Sequence, residues 1–362
     1  MIDSLILEDM ERTLSYLKRE AFEGKNVLVT GGAGFLGSWI CDLLVSLGAE
    51  VVCLDNLSTG IAENVNHLIG KSGFQFAEED VCAFKGDVKF DLILHLASRP
   101  SPEEYQQHPV ETLRANSLGS HNVLELARKH DSATLFASTS EVYGDAYVIP
   151  TPENYWGNVN PIGPRACYDE GKRFAESLFM AYHEEYDLDV RVARIFNTYG
   201  PRIRADGLYA RAMSRFIVQA LSNQPITVYG DGTQTRSFCY VTDTVLGLLL
   251  LSMKEGAAGE VLNIGNPEEI TILNLARKIK ESAGSASPIT FHTLPKDDPR
   301  RRCPDIGRAK GLLGWNPQVS LEQGIARSVE WFRRSSMPCT LDTSLERYVI
   351  YGQSNSEQTE AR

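Results

Sequence analysis

From Lys25 onward, short apolar runs alternate with stretches of helical period. The runs lie at residues 26–30, 51–54, 92–96, 134–137 and 190–195, and the stretch from Trp39 to Leu47 has the spacing of a helix. Apolar strands separated by helices are buried on both faces, so the pattern predicts an α/β fold: a Rossmann-like, doubly wound parallel sheet. Ahead of it, Leu5, Met10, Leu14 and Leu17 recur at near-helical spacing among charges, predicting an amphipathic helix in residues 1–24. Past residue 200 the chain becomes aromatic and turn-rich. A helix near 216–221, a strand at 226–229, a tight turn at Gly230-Asp231-Gly232 and helices near 272–282 and 321–334 predict a smaller mixed α/β region. The expected division is therefore 25–200, mainly cofactor-binding, and 201–335, mainly substrate-binding and interleaved with the first. A poorly ordered tail is expected over 336–362.

Composition narrows the partners. The 362 residues are 43% hydrophobic and 23% charged, as in an ordinary globular protein, and carry a net charge of −11. That balance disfavours nucleic acid, which needs clustered Lys and Arg. An anionic substrate then requires locally gathered cations, and Pro299-Arg300-Arg301-Arg302 is the obvious place. Seven scattered cysteines without C-x-x-C spacing predict reduced, mostly buried thiols, with no metal site. With neither a signal peptide nor a long apolar span, the expectation is a cytoplasmic protein without a membrane segment.

Gly31-Gly32-Ala33-Gly34-Phe35-Leu36-Gly37 follows the first strand and opens a helix. Gly31, Gly34 and Gly37 allow a tight turn and close approach of a pyrophosphate to helix N–H groups, with Phe35 and Leu36 beside them. The second strand ends in Asp55-Asn56, where a carboxylate can accept hydrogen bonds from an adenosine ribose and favours NAD over NADP. Asp80 and Val81 are candidate contacts to the adenine, and Leu96 completes the expected cofactor wall.

Ser138-Thr139-Ser140-Glu141-Val142-Tyr143-Gly144 follows the run at 134–137, at the sheet edge where ligands bind in such folds. For Ser138 the expectation is a hydroxyl that caps backbone groups. Downstream, Tyr168 and Lys172 lie four apart on one helical face, where the ammonium is expected to lower the phenol's pKa and make it a base. Such a base takes a proton from an alcohol as hydride leaves.

The glycine spacing, the Ser138–Gly144 segment and Tyr168-x-x-x-Lys172 resemble the extended short-chain dehydrogenase/reductase superfamily of nucleotide-sugar enzymes. More narrowly, residues 155–173, 193–202, 229–238 and 297–305 resemble the UDP-glucuronate decarboxylase family, and the similarity runs from about Lys25 to Arg334. The resemblance implies redox chemistry at Thr139, Tyr168 and Lys172, a ring-positioning or proton-handling Glu141, and an anion contact from Arg302. It also implies nucleotide-sugar contacts from Asn197, Arg202, Tyr229 and Arg236. Ser140 stands where the related dehydratases place Asp, which matches the decarboxylases. Two segments differ from that pattern: Arg99-Pro100-Ser101, and residues 203–215.

The implied reaction is decarboxylation of UDP-glucuronate to UDP-xylose through a 4-keto intermediate, with tightly bound NAD regenerated each cycle. A 4-epimerase acting on the same class of substrate is the alternative, and an NAD-binding scaffold without catalysis a more distant one. The resemblance also implies a homodimer.

Overall fold

The structure, a computed structural model, describes residues 2–86, 88–207, 210–295 and 297–335. The expected tail at 336–362 and Cys339 lie outside the described residues. Seven parallel strands form the central sheet: β1 Asn26–Thr30, β2 Glu50–Leu54, β3 Phe74–Ala77, β4 Leu92–His95, β5 Ala133–Thr139, β6 Val190–Ile195, and a seventh at Val261–Ile264. Their spatial order is Val261–Ile264, β6, β5, β4, β1, β2, β3, so the winding reverses between β1 and β4. A crevice opens at the carboxyl ends of strands at such a reversal, and ligands bind there.

The alternation of side chains within each strand splits the interior into two cores. Val27, Val29, Leu92 and Leu94 face one, shared with helices Phe35–Ser46 and Val241–Ser252. Leu28, Ile93, Phe136 and Val192 face the other, covered by Ser120–His130 and Ala166–Tyr186. Burying each such side chain contributes about 1.5–3 kcal/mol, which is why both faces of the sheet acquire helices. The seventh strand, from the C-terminal half, pairs with β6 from Val261↔Val192 to Ile264↔Ile195. The sequence reading did not find it, because four residues interrupted by Asn263 carry little periodic signal.

The first helix is shorter than expected. It spans Ser4–Leu14, with Asp3 accepting a hydrogen bond from the Leu5 amide at 2.8 Å as its cap. Its buried Asp9 accepts from Tyr240 Oη at 2.7 Å and pairs with Arg327 Nε at 3.0 Å, so the helix is tied into the C-terminal region. β5 runs two residues further than expected, to Thr139, opposite Ile195. That extension places a candidate catalytic hydroxyl on a rigid strand end.

A buried polar chain fixes the crevice floor. His95 sits between Thr30 Oγ1, 2.8 Å from Nδ1, and Ser120 Oγ, 3.1 Å from Nε2. Burial, assisted by Lys172, lowers its pKa to about 3, so the ring stays neutral and can bridge the two hydroxyls. Thr30 Oγ1 also accepts from the Leu96 and Ala97 amides at 3.2 and 3.1 Å, bringing the chain after β4 against the glycine turn. A Cβ on Gly31 would lie 2.9 Å from the Ala97 amide nitrogen, and one on Gly37 would lie 2.1 Å from the Gly31 carbonyl oxygen.

Gly37→Ala is therefore expected to cost about 3 kcal/mol or more, because backbone must move to admit one methyl. Gly311→Ala, in an exposed helix with nothing within 4 Å, is expected to be neutral or stabilising by up to about 1 kcal/mol. Urea unfolding of both variants checks the contrast.

Candidate active site

The glycine loop leaves β1 at Gly31, which adopts φ +70° and donates from its amide to Leu54 O at 2.8 Å. Gly34 then caps the helix that Phe35 and Leu36 begin and that contains Gly37. Asp55 braces this loop from below: one carboxylate oxygen accepts from the Ala33 amide at 3.0 Å, the other from the Leu57 amide at 2.9 Å. Its role is thus partly different from the expected ribose contact, since both oxygens are engaged by the loop's own backbone. Burial raises the Asp55 pKa against the pull of those two amides. Asn56 stands exposed at the rim and donates from Nδ2 to Asp80 Oδ2 at 3.0 Å, while the Cys82 amide donates to Asp80 Oδ1 at 2.8 Å. Val81 is buried beside them, and Leu96 lies on the other wall, above Thr30. Gly31, Asp55, Asp80 and Leu96 thus follow the carboxyl ends of β1, β2, β3 and β4.

At the adjoining end, Thr139 closes β5 and its hydroxyl accepts from the Glu141 amide at 3.2 Å, so Ser140 and Glu141 enter a tight turn. Ser138 differs from expectation: its hydroxyl bonds to the Glu176 carboxylate, which is gripped by Arg194, and caps no backbone group. The helix Ala166–Tyr186 brings Tyr168 and Lys172 to the same place, both buried. The expected lowering of the phenol by Lys172 is not found. Burial pushes Tyr168 up to about 12; Arg211 and a hydrogen bond with Thr139 pull it down, while Glu141 and Asp169 add to the rise. Lys172 Nζ donates to Ala137 O at 2.9 Å and lies 4.6 Å from the Phe136 ring centre and 5.9 Å from that of Tyr168. Burial brings its own pKa down to about 7, opposed by Glu176.

Glu141 lies between two guanidinium groups. Arg302 engages both its oxygens, with Nη2 2.7 Å from Oε2, and Arg165 Nη2 approaches the same Oε2 at 2.6 Å. Burial opposes its ionisation, but Arg165 and Arg302 overcome burial and hold the carboxyl far below its ordinary range. Glu141 is thus an acceptor that orients its neighbours, which favours positioning over proton donation. Of the arginine run, Arg302 is buried and committed to Glu141, whereas Arg300 and Arg301 are exposed. The expected free anion contact is therefore an arginine shared with Glu141.

Arg165, which the sequence reading passed over, is the second cation. Its position directly before the helix bearing Tyr168 was the available signal. Arg236 joins the group through Asp298, at 2.9 Å, and Asp298 reaches back to Arg165 at 4.0 Å. Asn197 donates weakly to Ser237 O at 3.5 Å. Tyr229 Oη accepts from Arg215 at 3.0 Å. Arg202 is not brought to this cluster. Its guanidinium pairs with the buried Asp42 at 2.6 Å beside the Trp39 ring, and its φ of +72° turns it inward.

The two segments that depart from the family pattern meet each other. Arg99 pairs with Glu104, Arg211 donates to Pro100 O at 2.9 Å, and Arg215 binds Glu103 at 2.6 Å. Positions 208–209 of the second segment lie outside the described residues.

Residues 27–265 match the model of the "NAD dependent epimerase/dehydratase family". The chain belongs to this family. It is 49% identical to UDP-glucuronic acid decarboxylase 1 of Xenopus tropicalis over 310 residues, covering 86% of this chain and 72% of the other. Its fold is similar to that of dTDP-glucose 4,6-dehydratase from Streptomyces venezuelae with NAD bound (TM-score 0.79, 27% identity, 87% of this chain and 100% of that one). It is also similar to UDP-glucuronic acid 4-epimerase from Bacillus cereus in complex with UDP-glucuronic acid and NAD (TM-score 0.76, 29% identity, 85% and 99%). The cofactor of this family member is NAD, and its residues fit that group: the turn at Gly31, Gly34 and Gly37 has no space for side chains, and Asp55 stiffens it from below.

Removing the charge of Glu141 while leaving Arg165 and Arg302 buried is expected to destabilise the fold by about 3 kcal/mol, measured by urea unfolding of Glu141→Gln at pH 7. Because the Glu141 pKa is lowered on folding, its contribution is complete above the unfolded value near 4.5 and fades as pH falls below it. Wild type and variant should converge in stability on acidification.

Proposed function

We propose that this chain is a UDP-glucuronate decarboxylase that forms UDP-xylose through a 4-keto intermediate. The observation that carries the reading is the surrounding of Tyr168: a Ser at position 140 where a dehydratase needs an acid, next to a Glu141 kept ionised by Arg165 and Arg302. The similarity to curated UDP-glucuronic acid decarboxylases supports it.

In this reading the phenolate form of Tyr168 takes the proton of the sugar 4-hydroxyl, and Thr139 holds the same oxygen. The turn at Gly31, Gly34 and Gly37 would hold NAD, which would supply reversible hydride acceptance at C4. The substrate carboxylate is then beta to a ketone. Its C5–C6 bond breaks with loss of CO2, and the electron pair moves onto the C4 oxygen as an enolate that Thr139 and Tyr168 stabilise by hydrogen bonds. C5 gains a proton, and Tyr168 returns its own to the C4 oxygen. Arg302 and Arg165 supply the field that attracts an anionic sugar, with Glu141 keeping both in register. Asn197, Tyr229 and Arg236 are assigned to the nucleotide-sugar, and Asn56, Asp80 and Val81 to the adenosine. The part of Lys172 is to hold the end of β5 through Ala137 and to exchange protons near neutrality.

A homodimer belongs to the same proposal. Helix Pro109–Arg114 packs beside Ala166–Tyr186, and Val110, Leu113, Leu118 and Phe174 expose apolar side chains there. Apolar residues gathered on neighbouring helices suit a second copy. No described helix is long and apolar enough to cross a membrane, and the six described cysteines are unpaired; reduced thiols support the cytoplasmic reading.

Purified protein incubated with UDP-glucuronate labelled at C6 is expected to release labelled CO2 and yield UDP-xylose, while Tyr168→Phe should lose at least about 100-fold in turnover with an unchanged circular dichroism spectrum. Epimerised substrate without CO2 would instead identify a 4-epimerase. For the oligomer, Leu113→Glu combined with Phe174→Glu should convert a dimer to monomers in light scattering; a wild-type monomer at the same concentration refutes that part.

A further inference from the structure

The helix Ala212–Leu221 and the strand Ile226–Tyr229 are locked together by a double hydrogen bond. Gln219 Nε2 donates to Thr227 Oγ1 at 2.8 Å, and Gln219 Oε1 accepts from the Thr227 amide at 3.0 Å. Arg215 lies four residues before Gln219, on the same face of the helix, and Tyr229 two after Thr227, on the same face of the strand. A second contact follows from that register: Arg215 Nη1 donates to Tyr229 Oη at 3.0 Å, with the guanidinium carbon 5.6 Å from the ring centre. A phenol oxygen that accepts from a cation turns its own hydrogen elsewhere. Tyr229 is thereby presented as a donor.

The other nitrogen of the fork serves a different element. Arg215 Nη2 donates to Glu103 Oε1 at 2.6 Å and to Ala210 O at 3.0 Å. Glu103 belongs to the short helix Pro102–Gln107, and two residues on, Tyr105 stacks its ring on that of Tyr168, with centres 5.1 Å apart and planes within 1°. Cys167 Sγ donates to Tyr105 O at 3.5 Å, which fixes this helix to the one that carries the base. One guanidinium therefore joins Tyr229 to the flank of Tyr168. A planar fork holds two partners at a set spacing, which a flexible ammonium would not.

Further contacts brace the bridge. Arg211 Nη2 donates to Pro100 O at 2.9 Å, the Arg211 amide donates to Ser214 Oγ at 3.2 Å, and Ser214 Oγ donates to Arg204 O at 2.9 Å. Arg204 Nη1 in turn donates to Thr59 O at 3.1 Å, in the loop after β2. Both segments that differ from the family pattern thus contribute to one construction. The Glu103 side chain is 42% exposed and that of Arg215 14%. An ion pair with so open a carboxylate adds little to stability, so what it gives the molecule is geometry.

We propose that Arg215 is a positioning residue that couples binding of the nucleotide to the placing of the sugar at Tyr168. The inference rests on the decarboxylase reading above and adds the residue through which the nucleotide end governs the reacting end. A ligand that accepts from Tyr229 and carries its sugar to Tyr168 has to match the span set by Arg215, Glu103 and Tyr105. Binding energy from the nucleotide, which does not react, then orients C4 at the base. The class selected is a nucleoside diphosphate sugar, over the free uronate or its 1-phosphate.

The test uses the NAD-loaded full chain with two probes: UDP, followed by titration calorimetry, and UDP-glucuronate labelled at C6, followed by CO2 release. Glu103→Ala cuts the bridge on the side of the base and leaves the Arg215–Tyr229 bond. It should bind UDP within about 2-fold of the unsubstituted protein while kcat falls roughly 10-fold. Arg215→Met cuts both sides, so UDP binding should weaken roughly 10-fold and kcat should fall by the same factor as in Glu103→Ala. Because both act through one bridge, the double variant should lose no more kcat than either single one. The proposal is overturned by parallel loss of UDP binding and turnover in Glu103→Ala, by multiplied kcat losses in the double variant, or by unchanged kcat in either single variant. If Arg215→Met fails to fold, Glu103→Ala decides alone through the split between UDP affinity and kcat, since it removes the exposed end of the pair. No CO2 from the unsubstituted protein overturns the functional reading and this inference with it; CO2 release with unchanged variants overturns only this inference.

Discussion

Taking a carboxylate out of water costs several kcal/mol unless cations accompany it, and Glu141 brings two. Each comes from a different part of the chain. Arg165 precedes the helix that carries Tyr168, and Arg302 arrives from the loop after the C-terminal strands, whose own backbone is fixed by Ser237 donating to Arg302 O at 3.0 Å. Asp298 extends the group to Arg236 at 2.9 Å. Because a half-paired cluster would be worse than an apolar one, the end of β5, the start of the helix and the distant loop have to assemble together. This charged wall of the crevice therefore exists only in the folded chain. Its charges come already oriented, which is the condition for stabilising a developing enolate without reorganisation at the moment of reaction.

The cofactor half obeys a steric constraint in place of an electrostatic one. Gly31 and Gly37 touch backbone so closely that no side chain fits, and the Thr30–His95–Ser120 chain presses the residues after β4 onto the same turn. Asp55 adds two hydrogen bonds from below. These contacts explain why a carboxylate that the motif assigns to ribose recognition also serves as a strut. The halves join at Thr139, the last residue of β5, which neighbours the switch point and the ion cluster at once.

Much of this architecture was readable in one dimension. Apolar runs such as 27–29 and 51–54, which show no alternating polar residues, read as strands with both faces covered. The glycine spacing directly after such a run, and Tyr168 four residues before Lys172, are local facts of sequence separation that folding cannot undo. Where the reading went astray, the outcome depended on depth. Lys172 was expected to lower the phenol's pKa, but burial lowers its own to about 7 and its ammonium donates to Ala137 O. Ser138 reaches a carboxylate on another element, and Arg202 turns inward toward Asp42. The strand at 261–264 was too short to announce itself.

The sequence by itself determined the parallel sheet, the glycine turn after its first strand, the placing of Tyr168 and Lys172 on one helix face and the serine at position 140. Each of these is encoded in spacings of a few residues, which fix periodicity and local geometry. Only the tertiary structure decided which charged groups keep their charge and which meet: that Glu141 takes both arginines, that Arg165 joins the cluster, and that Asp169 Oδ1 and Tyr105 Oη are left buried without hydrogen-bond partners among the described residues. Ionisation and pairing depend on distance and dielectric in three dimensions, and residues 141, 165 and 302 have neither until the chain has folded.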